Sequence, residues 1–178
     1  MAMQKASNKK YPDLTLDKEG SWKDPFCFIQ AADTQYGLIA NWNGAAEEKI
    51  TWNEEVALTK QAISLANNMN PKPRFFIVCG DLVDAFPGTL HYEAQIRDLK
   101  QTFQLLDPNI PMVCVCGNHD VGNSPTKESL KSYRDRFGDD YFTFWVGGMI
   151  IFQNTGSCCQ VTHLFAYICM FLNCHSQN

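Results

Sequence analysis

Three short polar loops in this sequence contain the residue types that bind metal ions or transfer protons. They are Asp33-Thr34-Gln35, Gly80-Asp81-Leu82-Val83-Asp84 and Gly117-Asn118-His119-Asp120. Carboxylate and amide oxygens together with an imidazole suit hard or borderline divalent cations rather than soft ones. Unpaired carboxylates in one crevice would raise each other's pKa values, and a bound cation would remove that cost. Together the loops predict a metal site.

Each of these residues has a simpler interpretation when it is considered alone. An aspartate at a strand end, such as Asp33, is more often a turn-former or a helix N-cap than a ligand. Asn118 alone is most simply a turn residue, and His119 alone could be a histidine of the core. The joint pattern favours metal, because three such loops at three successive strand ends are hard to obtain by chance.

Each loop follows a short apolar run that is typical of a buried strand. The runs span residues 26–32, 74–79 and 111–116. Strands that alternate with helical segments predict right-handed βαβ units and a mostly parallel sheet. Because ligand sites in such sheets lie at the carboxyl ends of the strands, we expect the three loops to meet at one edge.

Helices and a hairpin are predicted between and after these strands. Apolar residues at helical spacing form one stripe of Leu58, Ala62, Leu65 and Met69 and another of Tyr92, Ile96, Leu99, Phe103 and Leu106. A capping box at residues 51–54 precedes the first stripe. Ser124-Pro125 predicts the start of a third helix, which ends near Phe137. Residues 141–152 predict a hairpin with a Gly147-Gly148 turn.

The composition narrows the class of protein. With 178 residues, of which 45% are hydrophobic and 19% charged, the chain can form one domain with a sizeable core. A net charge of −4 argues against a general nucleic-acid or anionic-membrane surface. No apolar stretch reaches the ~18–20 residues that span a bilayer, and residues 1–10 do not form a secretory signal. We expect a monomeric cytoplasmic (or nuclear) protein without nucleic-acid or membrane partners.

The eight cysteines do not predict a disulfide framework. Four of them, Cys27, Cys79, Cys114 and Cys116, lie in or beside the apolar runs, which is typical of buried, reduced thiols. The other four lie in the last 21 residues. No Cys-x-x-Cys pair with a suitable partner is present, so a zinc site built from cysteines is not expected.

The succession Asp-x-Gln, Gly-Asp-x-x-Asp and Gly-Asn-His-Asp resembles the first three motifs of the calcineurin-like metallophosphoesterases, and the resemblance runs from about Trp22 to Phe152. It implies an α/β fold of βαβ units with a mostly parallel sheet, here the N-terminal half of the usual two-sheet α/β sandwich. It also implies a metal-dependent phosphoesterase, most simply a serine/threonine protein phosphatase. The expected substrate is phosphoserine or phosphothreonine in a protein, although related folds cleave nucleotides, phospholipids and phosphodiesters.

The resemblance implies a role for each candidate metal ligand. Asp33 would bind the first of two divalent ions, Asp81 would bridge both ions, and Asn118 would bind the second. Gln35 stands where most relatives have a histidine, so its amide oxygen would coordinate more weakly. The identity of the metal is open among Mn, Fe, Zn and Mg.

The resemblance also implies the acid–base chemistry. His119 would protonate the leaving oxygen as the general acid, oriented by Asp84. The two metal ions would clamp the phosphate and activate the attacking water, so that no phosphoenzyme is needed.

The sequence departs from the family pattern after residue 152. It lacks the Gly-His-x-His motif that supplies further metal ligands in relatives, and residues 153–178 contain no Asp, Glu, Lys or Arg. We therefore expect a flexible segment over residues 1–24, the N-terminal part of the phosphoesterase domain over 25–152, and a divergent tail over 153–178, as in a truncated alternative isoform. The alternative to an active enzyme is then a catalytically impaired or inactive product with a non-enzymatic, regulatory role.

Overall fold

Two β-sheets organise residues 4–153, the part of the chain that the computed structural model describes. The first sheet is parallel and contains, in spatial order, β1 (Ile29–Ala32), β2 (Phe76–Cys79) and β3 (Met112–Val115). The second is the antiparallel pair of β4 (Phe142–Val146) and β5 (Met149–Gln153). Parallel strands separated by helices confirm the predicted α/β class.

Six α-helices lie within the described residues. They are α1 (Leu16–Glu19), α2 (Leu38–Trp42), α3 (Asn53–Asn68), α4 (Tyr92–Phe103), α5 (Asn118–Val121) and α6 (Lys127–Phe137), with a 3-10 turn at Glu47–Lys49 between α2 and α3. Helices α3 and α4 contact each other and follow β1 and β2, respectively. None of the helices between residues 4 and 153 has the length and apolar character needed to cross a membrane.

The parallel sheet is buried on both faces, because side chains alternate between faces along a strand. On β2, Phe76 and Val78 belong to the core cluster that the helices cover. Ile77 belongs to a second cluster, which includes Phe144 and Val146 of the hairpin. The sheet is therefore a middle layer between the helices and the hairpin.

The register of the parallel sheet aligns the ends of its strands. Ala32 of β1 pairs with Cys79 of β2, and Cys79 pairs with Val115 of β3. Asp33 and Gly80, the first residues of two polar loops, directly follow Ala32 and Cys79. The third loop begins at Gly117, two residues after Val115. The prediction that the loops meet at one edge of the sheet is therefore confirmed.

The buried face of α4 agrees with the predicted stripe. Tyr92, Ile96, Leu99 and Phe103 are each at most 5% exposed. Leu106 is also buried, although it lies beyond the end of the helix at Phe103.

The predicted stripe on α3 is wrong, because Leu58 and Leu65 are 52% and 62% exposed. The buried face instead contains Glu55, together with Thr59, Ile63 and Ala66. The carboxylate of Glu55 accepts hydrogen bonds from the backbone amides of Gly37 at 3.2 Å and Ile39 at 2.9 Å, at the start of α2. These bonds to unpaired helix amides stabilise a buried carboxylate. They also account for the side of α3 that faces the core.

Two predicted helix starts also differ from the structure. Helix α3 begins after Trp52 without a side-chain cap, so the predicted capping box does not form. Helix α6 is capped by Thr126 rather than Ser124, and the side chains of Thr126 and Ser129 bond to each other's backbone amides at 3.1 and 3.0 Å. Its end at Phe137 agrees with the prediction.

The hairpin agrees with its sequence signal. Gly147 and Gly148 join β4 to β5 with φ angles of 55° and 83°. Positive φ at both central residues is the requirement of a type I′ turn, and glycine meets it without a steric cost.

The N-terminal residues differ from the expected flexible segment over 1–24. Between residues 4 and 24, Tyr11 and Leu14 are each only 2% exposed and belong to the cluster beneath the hairpin. The Tyr11 hydroxyl donates to the carbonyl of Met112 at 2.8 Å, and its amide donates to the carbonyl of Thr143 at 3.3 Å. The sequence did not predict this packing, because isolated apolar residues in a polar segment form no periodic pattern. Tyr11 and Leu14 nevertheless fill space between β3 and β4.

The cysteines between residues 4 and 153 form no disulfide, and Cys114 and Cys116 are buried while Cys27 and Cys79 are half-buried. The predicted divergent tail over 153–178 lies outside the described residues, except for Gln153 at the end of β5.

Candidate active site

The first and second polar loops are joined by backbone hydrogen bonds beside the sheet edge. The amide of Asp33 donates to the carbonyl of Gly80 at 3.1 Å, and the amide of Gln35 donates to the carbonyl of Asp81 at 3.0 Å. Asp33, Gln35 and Asp81 have positive φ angles of 51°, 35° and 46°. Such backbone strain in residues other than glycine is uncommon and concentrates at functional sites.

Two glycines allow the second and third loops to approach each other closely. A Cβ atom at Gly117 would lie 2.3 Å from Oδ1 of Asp81, and a Cβ atom at Gly80 would lie 2.9 Å from Cα of Gly117. Both distances are shorter than real Cβ contacts. Glycine at position 117 is therefore what lets the Asp81 carboxylate lie against the third loop.

Two carboxylates tie the second loop to the third. Oδ1 of Asp81 accepts a hydrogen bond from the amide of His119 at 2.9 Å. Asp120, which is 1% exposed, accepts from the amides of Gly117 at 2.7 Å and Leu82 at 3.1 Å. Burial raises the pKa of Asp120 to about 8; the hydrogen bonds oppose this shift and the charge of Asp81 adds to it. Asp120 is thus a positioning residue for both loops.

The carboxyl group of Asp33 is affected by the same cluster of charges. Burial, with a contribution from the negative charge of Asp81, raises the pKa of Asp33 to about 6. His119 opposes this shift. A bound cation would favour the ionised form of Asp33 and so offset the effect of burial and of the Asp81 charge.

The ring of His119 is held by contacts at both nitrogens and on one face. Nδ1 donates to the backbone carbonyl of Asp84 at 2.5 Å, since a carbonyl can only accept. Nε2 lies 3.3 Å from the amide nitrogen of Gln35, which donates to it when His119 is neutral. Phe86 stacks on the ring with centroids 4.5 Å apart. With Nδ1 donating to the Asp84 carbonyl, Nε2 is the nitrogen that carries no proton when His119 is neutral.

Asp84 contacts His119 through its backbone rather than through its carboxylate. The carboxylate Oδ1 lies 3.9 Å from Nδ1 of His119, which is beyond hydrogen-bonding distance. The carboxylate instead accepts from the side-chain amides of Asn41 at 3.0 Å and Gln35 at 3.4 Å. Asp84 thus holds His119 and Gln35 with different atoms.

Asn118 opens helix α5 immediately before His119. Its amide nitrogen donates to the side-chain oxygen of Asn123 at 2.8 Å, which fixes the amide group. Within residues 4–153, no three His, Cys, Asp or Glu side chains form a group that could hold a metal ion. The candidate ligands are therefore two carboxylates and two amides: Asp33, Asp81, Gln35 and Asn118.

The order of these loops matches a known family along most of the chain. A sequence model described as calcineurin-like phosphoesterase matches residues 26–173. The chain belongs to the calcineurin-like phosphoesterase family. The match includes residues 153–173, part of the segment expected to diverge, so a boundary at residue 153 stays a prediction.

Several curated proteins are similar to this chain in sequence. The zebrafish (Danio rerio) protein named "Serine/threonine-protein phosphatase CPPED1" is 48% identical over 151 residues, covering 82% of this chain and 48% of that protein. The human (Homo sapiens) and mouse (Mus musculus) proteins of the same name are each 44% identical, covering 82% of this chain and 47% of their own length. The chain thus spans about half the length of these relatives.

Calcineurin-like phosphoesterases use divalent metal ions, and the described residues fit that requirement in part. The fit lies in the oxygen-rich donor set and in the raised pKa of Asp33 beside Asp81. The donor set is small, however, because four side chains leave most coordination positions of two cations to water or to other groups.

Three residues that hold the site were not predicted as functional from the sequence. Asp120 had a signal, since it directly follows the Gly-Asn-His sequence of the third loop. Asn41 and Phe86 had none, because their contacts with Asp84 and His119 depend on where α2 and the loop after β2 lie in the fold.

Proposed function

We propose that this chain contains the metal-binding part of a phosphomonoesterase site that acts on phosphoserine or phosphothreonine in proteins. The observation that supports it most is the meeting of Asp33, Asp81 and His119 at the carboxyl ends of three parallel strands. The name of the relatives, serine/threonine-protein phosphatase, supports the substrate class.

Four side chains are proposed to hold two divalent ions. Asp33 would bind the first, Asp81 would bridge the two, and Asn118 would bind the second through its amide oxygen. Gln35 would contribute weakly, because its ligand atom would be an amide oxygen where most relatives have a histidine; its amide nitrogen is directed to Asp84 and His119. The donors are compatible with Mn, Fe, Zn or Mg. When bound, the ions supply Lewis-acid polarisation of the phosphate and an activated water.

His119 is proposed as the general acid. Because Nδ1 donates to the carbonyl of Asp84, Nε2 is the nitrogen that would give a proton to the leaving serine or threonine oxygen. An alkoxide is a poor leaving group, so this proton contributes to the rate. The stacked ring of Phe86 would keep the imidazole plane fixed during the transfer.

The proposed setting is the cytoplasm, and the proposed partner is a phosphorylated protein. The net charge of −4 does not favour nucleic acid or an anionic membrane surface as a partner. A monomer remains the proposed state.

A second candidate function is a catalytically impaired, regulatory protein that binds phosphorylated substrates without efficient turnover. The small ligand set favours it, because no group of three His, Cys, Asp or Glu side chains is present among residues 4–153. Weak metal binding with little hydrolysis would be its signature.

The test is hydrolysis of a phosphoserine peptide by the purified 178-residue protein with added Mn²⁺. We expect Mn²⁺-dependent release of phosphate, and a loss of about 10²- to 10⁴-fold in His119→Asn. Asp135→Asn, in an exposed pair with Lys131 on α6, is the control that keeps wild-type turnover. Faster hydrolysis of ATP than of the peptide would contradict the substrate class, and no hydrolysis at all would favour the impaired protein.

A further inference from the structure

A groove of about 360 Å³ extends from His119 and Asp84 to His91, at the start of α4. We call it the His119 groove. Its volume lies in the range of small-ligand pockets, about 300–1,000 Å³. Because His119 lines both this groove and the candidate active site, a substrate whose phosphate reacts beside His119 would place its neighbouring atoms in the groove.

The walls of the His119 groove contain several apolar side chains. They come from Ala45 and Ile50 on one segment and from Ala85 and Phe86 on another. Phe86 also stacks on the ring of His119, so the apolar wall begins at the proposed general acid.

Most polar groups that line the groove are already bonded within the protein. His91 Nε2 lies 2.7 Å from the backbone carbonyl of Glu47. The Thr89 hydroxyl donates to a backbone carbonyl at 2.8 Å, and Gln95 Oε1 accepts from the amide of Ala85 at 3.0 Å. An apolar ligand would therefore leave few polar atoms without a partner, whereas a polar ligand would find few free ones.

Two exposed side chains flank the groove in the chain. Trp42, which is 80% exposed, follows the lining residue Asn41, and Leu90, which is 63% exposed, lies between the lining residues Thr89 and His91. They are the two most exposed large hydrophobic side chains among the described residues. Their exposure leaves both side chains available to a bound polypeptide.

We propose that the His119 groove binds an apolar side chain adjacent to the phosphorylated residue of a polypeptide substrate. This inference rests on the proposed function for the position of the phosphate. The apolar walls and the two flanking hydrophobic residues favour a peptide over a nucleotide or sugar phosphate, whose polar edges would lose hydrogen bonds to water in this groove.

The test is the affinity of the full 178-residue protein, with Mn²⁺, for labelled peptides that contain a non-hydrolysable phosphonate analogue of phosphoserine. In one peptide series leucine, alanine or lysine occupies the position before the analogue, and in a second series the position after it. Fluorescence anisotropy measures binding. We expect the leucine peptide of one series to bind roughly fivefold to tenfold more tightly than its alanine counterpart. Trp42→Ala and Leu90→Ala should each reduce this ratio to less than about twofold.

The matched control is Leu65→Ala, since Leu65 is as exposed as Leu90 but lies on α3, and its neighbours in the chain do not line the groove. It should keep the wild-type ratio. Equal affinities for leucine and alanine, a preference for lysine, or no binding would overturn the inference. A third result would also overturn the inference: Trp42→Ala changes the sedimentation coefficient of the protein, while wild type binds the leucine and alanine peptides equally. The surface would then bind a second copy of the chain instead of a peptide. Hydrolysis of p-nitrophenyl phosphate, which has no flanking side chain, tests the proposed function separately.

Discussion

The carboxylate of Asp81 accepts a hydrogen bond from the backbone amide of His119 at 2.9 Å. A residue at the end of β2 is thereby fixed to a residue just after β3. One oxygen of this carboxylate is occupied by the protein, so the other is the one more available to a cation. The proposed metal ligand and the proposed general acid therefore keep a constant separation, and a change that displaces one loop should displace both.

Replacing Gly117 should damage the site through steric conflict alone. In Gly117→Ala, the added Cβ would lie 2.3 Å from Oδ1 and 2.5 Å from the amide nitrogen of Asp81, so one loop must move. We expect the free energy of unfolding to fall by about 1–3 kcal/mol and the affinity for Mn²⁺ to fall at least about tenfold. Urea unfolding and calorimetric titration measure the two effects.

The control for this variant is Gly44→Ala. Gly44 has a φ of 76° and nothing within 4 Å of its Cβ position, so the substitution adds backbone strain without a clash. It should cost about 1 kcal/mol of stability and leave the Mn²⁺ affinity unchanged. Equal losses of affinity in both variants would contradict the steric explanation.

Removing the charge of Asp84 should have a small effect on His119. Because Nδ1 of His119 donates to the backbone carbonyl of Asp84, Asp84→Asn keeps the bond that sets the tautomer. We expect ¹⁵N chemical shifts of the His119 ring to report a protonated Nδ1 in both proteins. Turnover should stay within about tenfold of wild type, well above that of His119→Asn. A protonated Nε2 and unprotonated Nδ1 in Asp84→Asn would show that the carboxylate, not the backbone, sets the tautomer.

The sequence predicted the parts of the fold that depend on local pattern. The stripe on α4 is correct because Tyr92, Ile96 and Leu99 face one continuous apolar core. The stripe on α3 failed because Glu55 is buried against the start of α2, and a hydrogen bond across 18 residues leaves no periodic signal. Propensity and period describe neighbours in the chain, whereas this helix is oriented by a distant polar partner.

The candidate site, like the fold, was predictable from the sequence only where local pattern determines it. The strand ends identified Asp33 and Asp81 because parallel sheets collect their loops at one edge. The role of Phe86 was not predictable, since its stacking on His119 depends on the path of the loop after β2. The buried state of Tyr11 was missed for a similar reason, because its partners Met112 and Thr143 are distant from it in the chain.

An ion pair that is not part of the candidate site should govern part of the stability of the protein in acid. Asp140, 5% exposed, accepts two hydrogen bonds from the Arg134 guanidinium, at 2.7 and 3.0 Å. Burial alone would raise the pKa of Asp140, but Arg134 lowers it below the usual 3.8. A lowered carboxyl pKa in the folded state stabilises the protein above the unfolded-state pKa, and this stabilisation is lost as the pH falls through the folded-state pKa.

Asp140→Asn should therefore lower the free energy of unfolding by about 1–2 kcal/mol at pH 7, a moderate value because Arg134 is partly exposed. The difference from wild type should shrink as the pH falls below 3.8. Urea unfolding at a series of pH values measures both. Asp135→Asn, which breaks the exposed pair with Lys131, should leave the stability close to that of wild type. A destabilisation by Asp140→Asn that is the same at pH 3 and pH 7 would contradict the ion-pair explanation.

The most direct test of the proposed metal site is calorimetric titration of the 178-residue protein with Mn²⁺ at pH 7, alongside Asp33→Asn and Asp81→Asn. The Asp81→Asn substitution keeps a side-chain oxygen that can accept from the His119 amide, so this variant removes charge with little change in loop geometry. We predict that wild type binds Mn²⁺ and that each variant binds at least about tenfold more weakly, with the larger loss in Asp81→Asn. Asp135→Asn should bind as wild type does. Equal Mn²⁺ affinities in wild type and Asp81→Asn, or no Mn²⁺ binding by wild type, would contradict the proposed metal site.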